Sequence, residues 1–234
     1  MYKDTKLADY NSNTYYRRYN VTTNLTLNPF RTTEIKLGIQ GYLANANYPA
    51  SSQATIFESA YFTQPTYIAP MYPDGKLGAF SGGGLNPVAE LGATGYANQW
   101  RSQVYSNLRV TQQLCKGLSI TGMFSFDTYN YTSNRFTKSP NTYHATGRDA
   151  NGNLIYEQTR QGTENLAYSL SAKGDRTIYL EAALNYKNTF GRHDVSGMLL
   201  FNQSDEINTK ATNVEEALPY RFRGLAGRFT YGFD

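Results

Sequence analysis

The stretch Arg18-Tyr19-Asn20-Val21-Thr22-Thr23-Asn24-Leu25-Thr26-Leu27 decides the fold. Successive side chains of a strand point to opposite faces. Tyr19, Val21, Thr23, Leu25 and Leu27 therefore form one wall, and Arg18, Asn20, Thr22, Asn24 and Thr26 form the other. The first wall is mainly apolar and the second is polar. A soluble sandwich buries such an apolar wall against a second sheet. A membrane barrel turns it to lipid and keeps the polar wall inside. The alternation establishes a strand and leaves both destinations open.

The same two-sided pattern recurs outward from this stretch. The first strand is expected over Tyr16–Leu27, stopped by the turn dipeptide Asn28-Pro29. The second, Thr33–Ala44, sets Ile35, Leu37, Ile39, Gly41 and Leu43 against Glu34, Lys36, Gln40 and Tyr42. The third, Gln99–Leu114, sets Trp100, Val104, Leu108 and Val110 against Arg101, Gln103, Asn107 and Arg109. Beyond the turn Cys115-Lys116-Gly117, the fourth sets Leu118, Ile120, Gly122, Phe124 and Phe126 against Ser119, Thr121, Ser125 and Asp127. The fifth, Thr177–Asn188, sets Ile178, Leu180, Ala182, Leu184 and Tyr186 against Tyr179, Glu181, Asn185 and Lys187. Gly191-Arg192-His193 turns into the sixth, with Val195, Gly197, Leu199 and Phe201 on one wall. The seventh carries Leu225, Gly227, Phe229, Tyr231 and Phe233.

Short and long connections alternate. The long ones cover 45–97, 131–175 and Ser204–Tyr220. The first contains Pro49, Pro65, Pro70, Pro73, Pro87 and the run Gly82-Gly83-Gly84. A helix is expected within it over Ser52–Phe62, capped by Ser51 or Ser52, with Ala54, Phe57, Ala60 and Tyr61 sharing a face. The second is expected to hold a hairpin closed by a type I′ turn at Asn151-Gly152. Tight turns at one end and long loops at the other are the asymmetry of outer-membrane barrels.

Charge and aromatic placement agree with that asymmetry. Arg18, Glu34, Lys36, Arg101, Arg109, Asp127, Glu181, Lys187, Asp194 and Arg228 all take the polar parity. Arg17, Arg176, Arg221 and Arg223 take the apolar parity, but near the long-loop ends, where a charge costs a barrel little. Tyr15, Tyr16, Tyr19, Trp100, Phe124, Phe126, Tyr129 and Tyr131 gather toward that end, and Phe30, Phe190, Tyr231 and Phe233 toward the short turns, as two interfacial belts would require.

Composition bounds the remainder. The 234 residues suit one or two domains. Mean hydropathy is −0.57, and no stretch approaches the roughly 18 apolar residues of a membrane helix. Barrel strands need only about 9–11 residues, half of them apolar. The chain has 21 Tyr, 12 Phe and one Trp, which suits strands, interfacial belts and polar binding surfaces. Net charge is +4 with no basic run, so no nucleic-acid partner is expected. Cys115 is the sole cysteine, which excludes an internal disulfide and a cysteine metal cluster.

Several strings carry a more specific signal: RYNVTTNL through Asn28-Pro29, Tyr67–Gly75 (YIAPMYPDG), Asn86–Leu91 (NPVAEL), Lys116–Asn130 (KGLSITGMFSFDTYN), Asp194–Ser204 (DVSGMLLFNQS) and Leu218–Asp234 (LPYRFRGLAGRFTYGFD). Together they resemble barrel segments of SusC/RagA-type TonB-dependent outer-membrane transporters. The resemblance implies an all-β fold: antiparallel up-and-down strands forming part of a transmembrane β-barrel wall, with long extracellular loops and short periplasmic turns. It implies a bacterial outer-membrane location and import of glycan or peptide fragments. The implied partners are a SusD-like surface lipoprotein, TonB acting through a plug region, and outer-membrane lipid. Residues 1–234 are expected to be a partial barrel that does not transport alone. No plug domain, TonB box or closing C-terminal strand is recognisable, and Met1–Lys6 lacks the apolar region of a signal peptide.

Two other classes compete. One is a self-standing surface β-sheet module recognising polysaccharide through its Tyr-rich loops. The other is a barrel enzyme, which needs a nucleophile with a base in reach. His144 and His193 fall in different connections, so no enzyme, metal or cofactor is expected. Asp149-Ala150-Asn151-Gly152-Asn153 has its glycine fourth rather than sixth, which favours a turn over a calcium loop. The Gly82–Gly84 run lacks the Lys-Ser/Thr of a phosphate loop and reads as loop. Asp127 and Glu181 read as wet-wall residues. The binding candidates are Tyr61, Tyr67, Tyr72 and Trp100, whose rings are suited to stack on sugars or meet a lipoprotein. Arg17, Arg176, Arg221 and Arg223 are candidates for lipopolysaccharide phosphates.

Overall fold

The computed structural model describes residues 13–64, 66–80 and 86–233. In chain order the elements are β1 (Tyr15–Phe30), β2 (Thr33–Pro49), α1 (Gln53–Phe62), β3 (Leu77–Gly78), α2 (Pro87–Gly92), β4 (Gly95–Cys115), β5 (Leu118–Thr137), β6 (Thr142–Arg148), β7 (Leu154–Arg160), β8 (Ala167–Phe190), β9 (His193–Asn208), α3 (Val214–Ala217) and β10 (Tyr220–Phe233). The fold is all-β. Seven antiparallel strands form one sheet in the order β1-β2-β4-β5-β8-β9-β10, and β3, β6 and β7 form a second, small sheet. The large sheet is open, with β1 and β10 at its edges.

Its connections alternate as the sequence requires. Arg31-Thr32, Lys116-Gly117 and Gly191-Arg192 are two-residue turns. Gly191 takes φ +62° at the first central position while Arg192 does not turn positive, which is the signature of a type II′ hairpin. The three other connections of this sheet are long and hold the helices and the small sheet.

The strands run further than the apolar alternation. β2 continues to Pro49, β5 to Thr137 and β9 to Asn208, while β8 begins at Ala167 and β10 at Tyr220. Much of the expected loop 45–97, 131–175 and 204–220 is therefore strand at its ends. Asn28-Pro29 does not stop β1, which passes through it to Phe30. An edge strand has one unpaired side, where a proline is tolerated.

The chain forms two compact units. The sheet unit comprises Arg18–Ala44, Trp100–Thr132 and Ala172–Asp234. The loop unit comprises 13–17, Asn45–Gln99 and Ser133–Ser171. Buried apolar side chains belong mainly to the loop unit: Ala46, Ala50, Ile68, Tyr72, Ala79, Ala89 and Ala97, against Ala44 and Ala183 in the sheet unit.

Candidate functional site

In the sheet unit, register aligns the alternating residues into rows. On one face, from the turn end upward, run Phe190–His193–Phe233, Asn188–Val195–Tyr231, Tyr186–Gly197–Phe229, Leu184–Leu199–Gly227 and Ala182–Phe201–Leu225. The next rows are Leu180–Gln203–Arg223 and Ile178–Asp205–Arg221. Nine residues per strand, 193–201 in β9, therefore make a mainly apolar band. Aromatic rings crowd its turn end and charge marks its other border. The band is exposed: Leu199 is 53% accessible and Phe229 73%. At the charged border Arg221 Nε donates to Asp205 Oδ2 at 3.0 Å and Arg223 Nε to Gln203 Oε1 at 3.0 Å, so Arg221 already has a counter-charge.

The opposite parity is mainly polar and cross-linked, with one apolar row at Ala183–Leu200–Ala226. The Arg18 guanidinium lies 4.0 Å from the Tyr42 ring centroid, and that of Arg101 5.0 Å from Tyr131. Tyr131 thus shares the polar parity of Asp127 rather than that of an outward belt. Gln103 Nε2 donates to Asp127 Oδ1 at 3.4 Å, and Tyr179 Oη to Glu181 Oε2 at 2.7 Å. The two carboxylates expected on the wet wall are thereby engaged by neighbours.

The loop unit is built from tight local turns. In Tyr72-Pro73-Asp74-Gly75, Gly75 N donates to Tyr72 O at 2.9 Å and Tyr72 N to Lys76 O at 2.8 Å. Proline presets the turn, and Gly75 takes φ +82°, which a side chain would resist. The turn delivers Leu77 and Gly78 into β3, parallel to β6. The hairpin β6–β7 is present, but its turn differs from the type I′ expectation. Only Gly152 has positive φ, and Asp149 and Gly152 close a turn followed by a left-handed glycine. Asp149 Oδ1 accepts from Asn151 N and Asn153 N at 2.8 Å each, and Oδ2 from Asn153 Nδ2 at 3.0 Å. These bonds, that from the Asn153 side chain first, hold its carboxyl below the usual range. The group is spent on the turn rather than offered to a cation.

Asn86 anchors α2. Its Oδ1 accepts from Val88 N at 2.9 Å and Ala89 N at 3.1 Å, and its Nδ2 donates to Pro70 O at 2.6 Å and Gly78 O at 2.7 Å. With Pro87 in the first turn, the NPVAEL string is a capped helix tied to the 70–78 hairpin. α1 starts where expected, with Ser52 Oγ accepting from Thr55 N at 3.1 Å. Its buried residue is Ser59, however, and Ala54, Phe57, Ala60 and Tyr61 are exposed. The face expected to be apolar points to solvent, and the side chain α1 buries is the small Ser59.

An aromatic cage surrounds Lys76. Its Nζ lies 4.4 Å from the Tyr156 ring centroid and 5.8 Å from that of Tyr143, and it pairs with the Asp74 carboxylate. The pair shifts both groups: the Lys76 bond lowers Asp74, and the Asp74 bond raises Lys76. Beside the cage opens a cavity of about 360 Å³ lined by Asp74, Lys76, Lys138, Asn141 and Tyr143 among others.

The four candidate residues do not gather. Tyr61 is 84% accessible on α1, edge-on to Phe62 at 5.2 Å. Tyr67 is 67% accessible, 6.2 Å from Phe80. Tyr72 is 8% accessible, with Oη accepting from Ala145 N at 3.0 Å and its ring 5.0 Å from Tyr156. Trp100 is 49% accessible and belongs to the sheet unit. Nothing in the sequence pointed to the cavity, since its lining comes from two separate connections. His144 and His193 lie in different units, and His193 Nδ1 is 2.7 Å from Tyr231 Oη. The Gly82–Gly84 run lies outside the described residues, among which no cluster of metal ligands and no membrane-crossing helix occurs.

These features define a class: an open, up-and-down antiparallel sheet with one apolar and one polar wall. The sequence matches no protein-family model and no curated protein. Solved structures share the fold. The RagAB peptide transporter superposes with TM-score 0.58 at 16% identity, over 94% of this chain and 26% of that one. The RagAB peptide importer superposes with TM-score 0.55 in its 'closed-closed' state and 0.56 in its 'open-open' state, at the same identity and coverage. The chain thus spans about a quarter of the length of these transporters.

Proposed function

We propose that residues 1–234 are a stretch of the wall of an outer-membrane β-barrel importer of the TonB-dependent SusC/RagA kind. The carrying observation is the exposed apolar band, nine residues deep on each of β8, β9 and β10. A tilted barrel strand needs about 9–11 residues to cross the hydrocarbon, and its aromatic and charged borders belong at the two interfaces. Lipid satisfies that wall; water does not. The polar wall then faces the lumen, with the Arg18–Tyr42 and Arg101–Tyr131 pairs along it.

The cargo on this reading is peptide or glycan fragments, and peptide is favoured because the superposed proteins are peptide importers. A SusD-like lipoprotein is the proposed partner, with exposed Tyr61 and Tyr67 as contacts for partner or cargo. Trp100 is assigned to the lipid-facing belt. The chain acts as barrel wall rather than as an enzyme. The rival polysaccharide-binding sandwich needs its apolar wall covered by a second sheet, and Leu184, Leu199, Phe201, Leu225 and Phe229 of the band are exposed.

Trp100 is the protein's sole tryptophan and tests the assignment directly. In liposomes, spin-labelled lipid chains should quench its fluorescence while aqueous iodide does not. Quenching by iodide alone would place the wall in water and favour the sandwich.

A further inference from the structure

The cavity beside Lys76 has a one-sided hydrogen-bonding character. Its one carboxylate is already engaged: Asp74 Oδ2 takes the Lys76 ammonium and Oδ1 takes Lys76 N at 3.3 Å. Its donors are not. Among the described residues Lys138 enters no ion pair and its Nζ donates no hydrogen bond. Asn141 Oδ1 accepts from Gly162 N at 2.7 Å and Gln158 Nε2 at 3.1 Å, which fixes the amide and leaves Nδ2 unspent. The Tyr143 hydroxyl also has no partner within the described residues. Lys138, Asn141 and Tyr143 line one opening and carry an ammonium, an amide N–H₂ and a phenol, groups that suit a ligand rich in acceptors and negative in charge. With Lys76 neutralised by Asp74, the lining keeps the single positive charge of Lys138.

We propose that this cavity binds the carboxylate of a short peptide, with Lys138 as ion-pair partner and Asn141 and Tyr143 as hydrogen-bond donors. This deepens the peptide-import reading above and rests on it. At about 360 Å³ the cavity lies at the small end of ligand pockets and fits roughly one or two residues, so it reads a peptide end rather than a long chain. The paired Lys76 ammonium also lies against the rings of Tyr143 and Tyr156, which ties the cavity wall to β6 and β7.

The test uses the whole polypeptide carrying these residues, in detergent, with calorimetric titration of tetra-alanine and of its C-terminal amide. The free acid should bind about tenfold tighter than the amide, the scale of one charge-assisted hydrogen bond. Lys138→Gln should reduce that ratio to about one, Lys138→Arg should retain most of it, and Tyr143→Phe should weaken the acid about threefold. Lys138 is exposed, so its replacement leaves the fold intact. Equal binding of acid and amide, or a ratio unmoved by Lys138→Gln, overturns the site while leaving peptide import standing. Binding of a glucuronic-acid oligosaccharide with no binding of either peptide overturns both.

Discussion

In the loop unit Ile68, Tyr72, Ala79 and Ala89 are buried, and the buried amide of Asn86 is fully hydrogen-bonded. In the sheet unit Leu184, Leu199, Leu225 and Phe229 are exposed, and buried apolar side chains reduce to Ala44 and Ala183. Around the first set of residues apolar groups go inside and the polar amide is paired, as water favours, while Phe57, Tyr61 and Phe62 of α1 stay exposed. The second leaves a broad apolar face open, which water penalises and hydrocarbon does not. On the proposed barrel reading, one chain carries two units that meet different solvents, and each can be tested separately.

The sharpest test of the contrast is Leu199→Arg, at mid-band. With lipid against it the substitution should cost about 2–4 kcal/mol, read from unfolding titrations in liposomes. In water an already exposed position would tolerate arginine with little change, and that result would erase the distinction between the units. Asn86→Ala should cost about 2 kcal/mol, since it removes a helix cap and strands two carbonyls. Limited proteolysis should show cleavage within 66–93 while the sheet unit stays resistant. Gly75→Ala should cost about 1 kcal/mol by forcing a side chain into positive φ, seen as faster amide exchange at position 75 and Lys76 alone.

The smallest effect is electrostatic. Hydrogen bonds from Asn153 and its neighbours depress the Asp149 carboxyl, so it binds its proton less readily folded than unfolded. Its contribution is complete above the ordinary aspartate range and is lost as pH falls through the lower folded value. Exchange at Asn151 and Asn153 should accelerate only in that acidic window. No change there would mean that Gly152 alone holds the turn.

What the sequence revealed follows the same division. Parity along 18–27, 177–188 and 225–233 was legible because one solvent-facing wall enforces a strict two-residue period. Strand ends were not. Ser204–Asn208 and Asn45–Pro49 continue the ladder without an apolar wall, so alternation fades while the backbone still pairs. Ser52 was readable as a cap because capping is local, whereas the face of α1 depended on α2, more than twenty residues away. The cavity was silent for the same reason: Lys76 and Lys138 meet only through β3, β6 and their turns.

The register of β8, β9 and β10 also limits how such a chain can drift. A single-residue insertion in β9 between Val195 and Phe201 moves every later side chain to the opposite wall, whereas a pair of residues restores it. Length changes in the walls should therefore accumulate in twos or within bulges, while the long connections can change by any number. Two chains can then agree in strand order and in little of their sequence, as the 16% identity to the RagAB chains illustrates. The parity of insertions between relatives becomes a record of which residues lie in the wall.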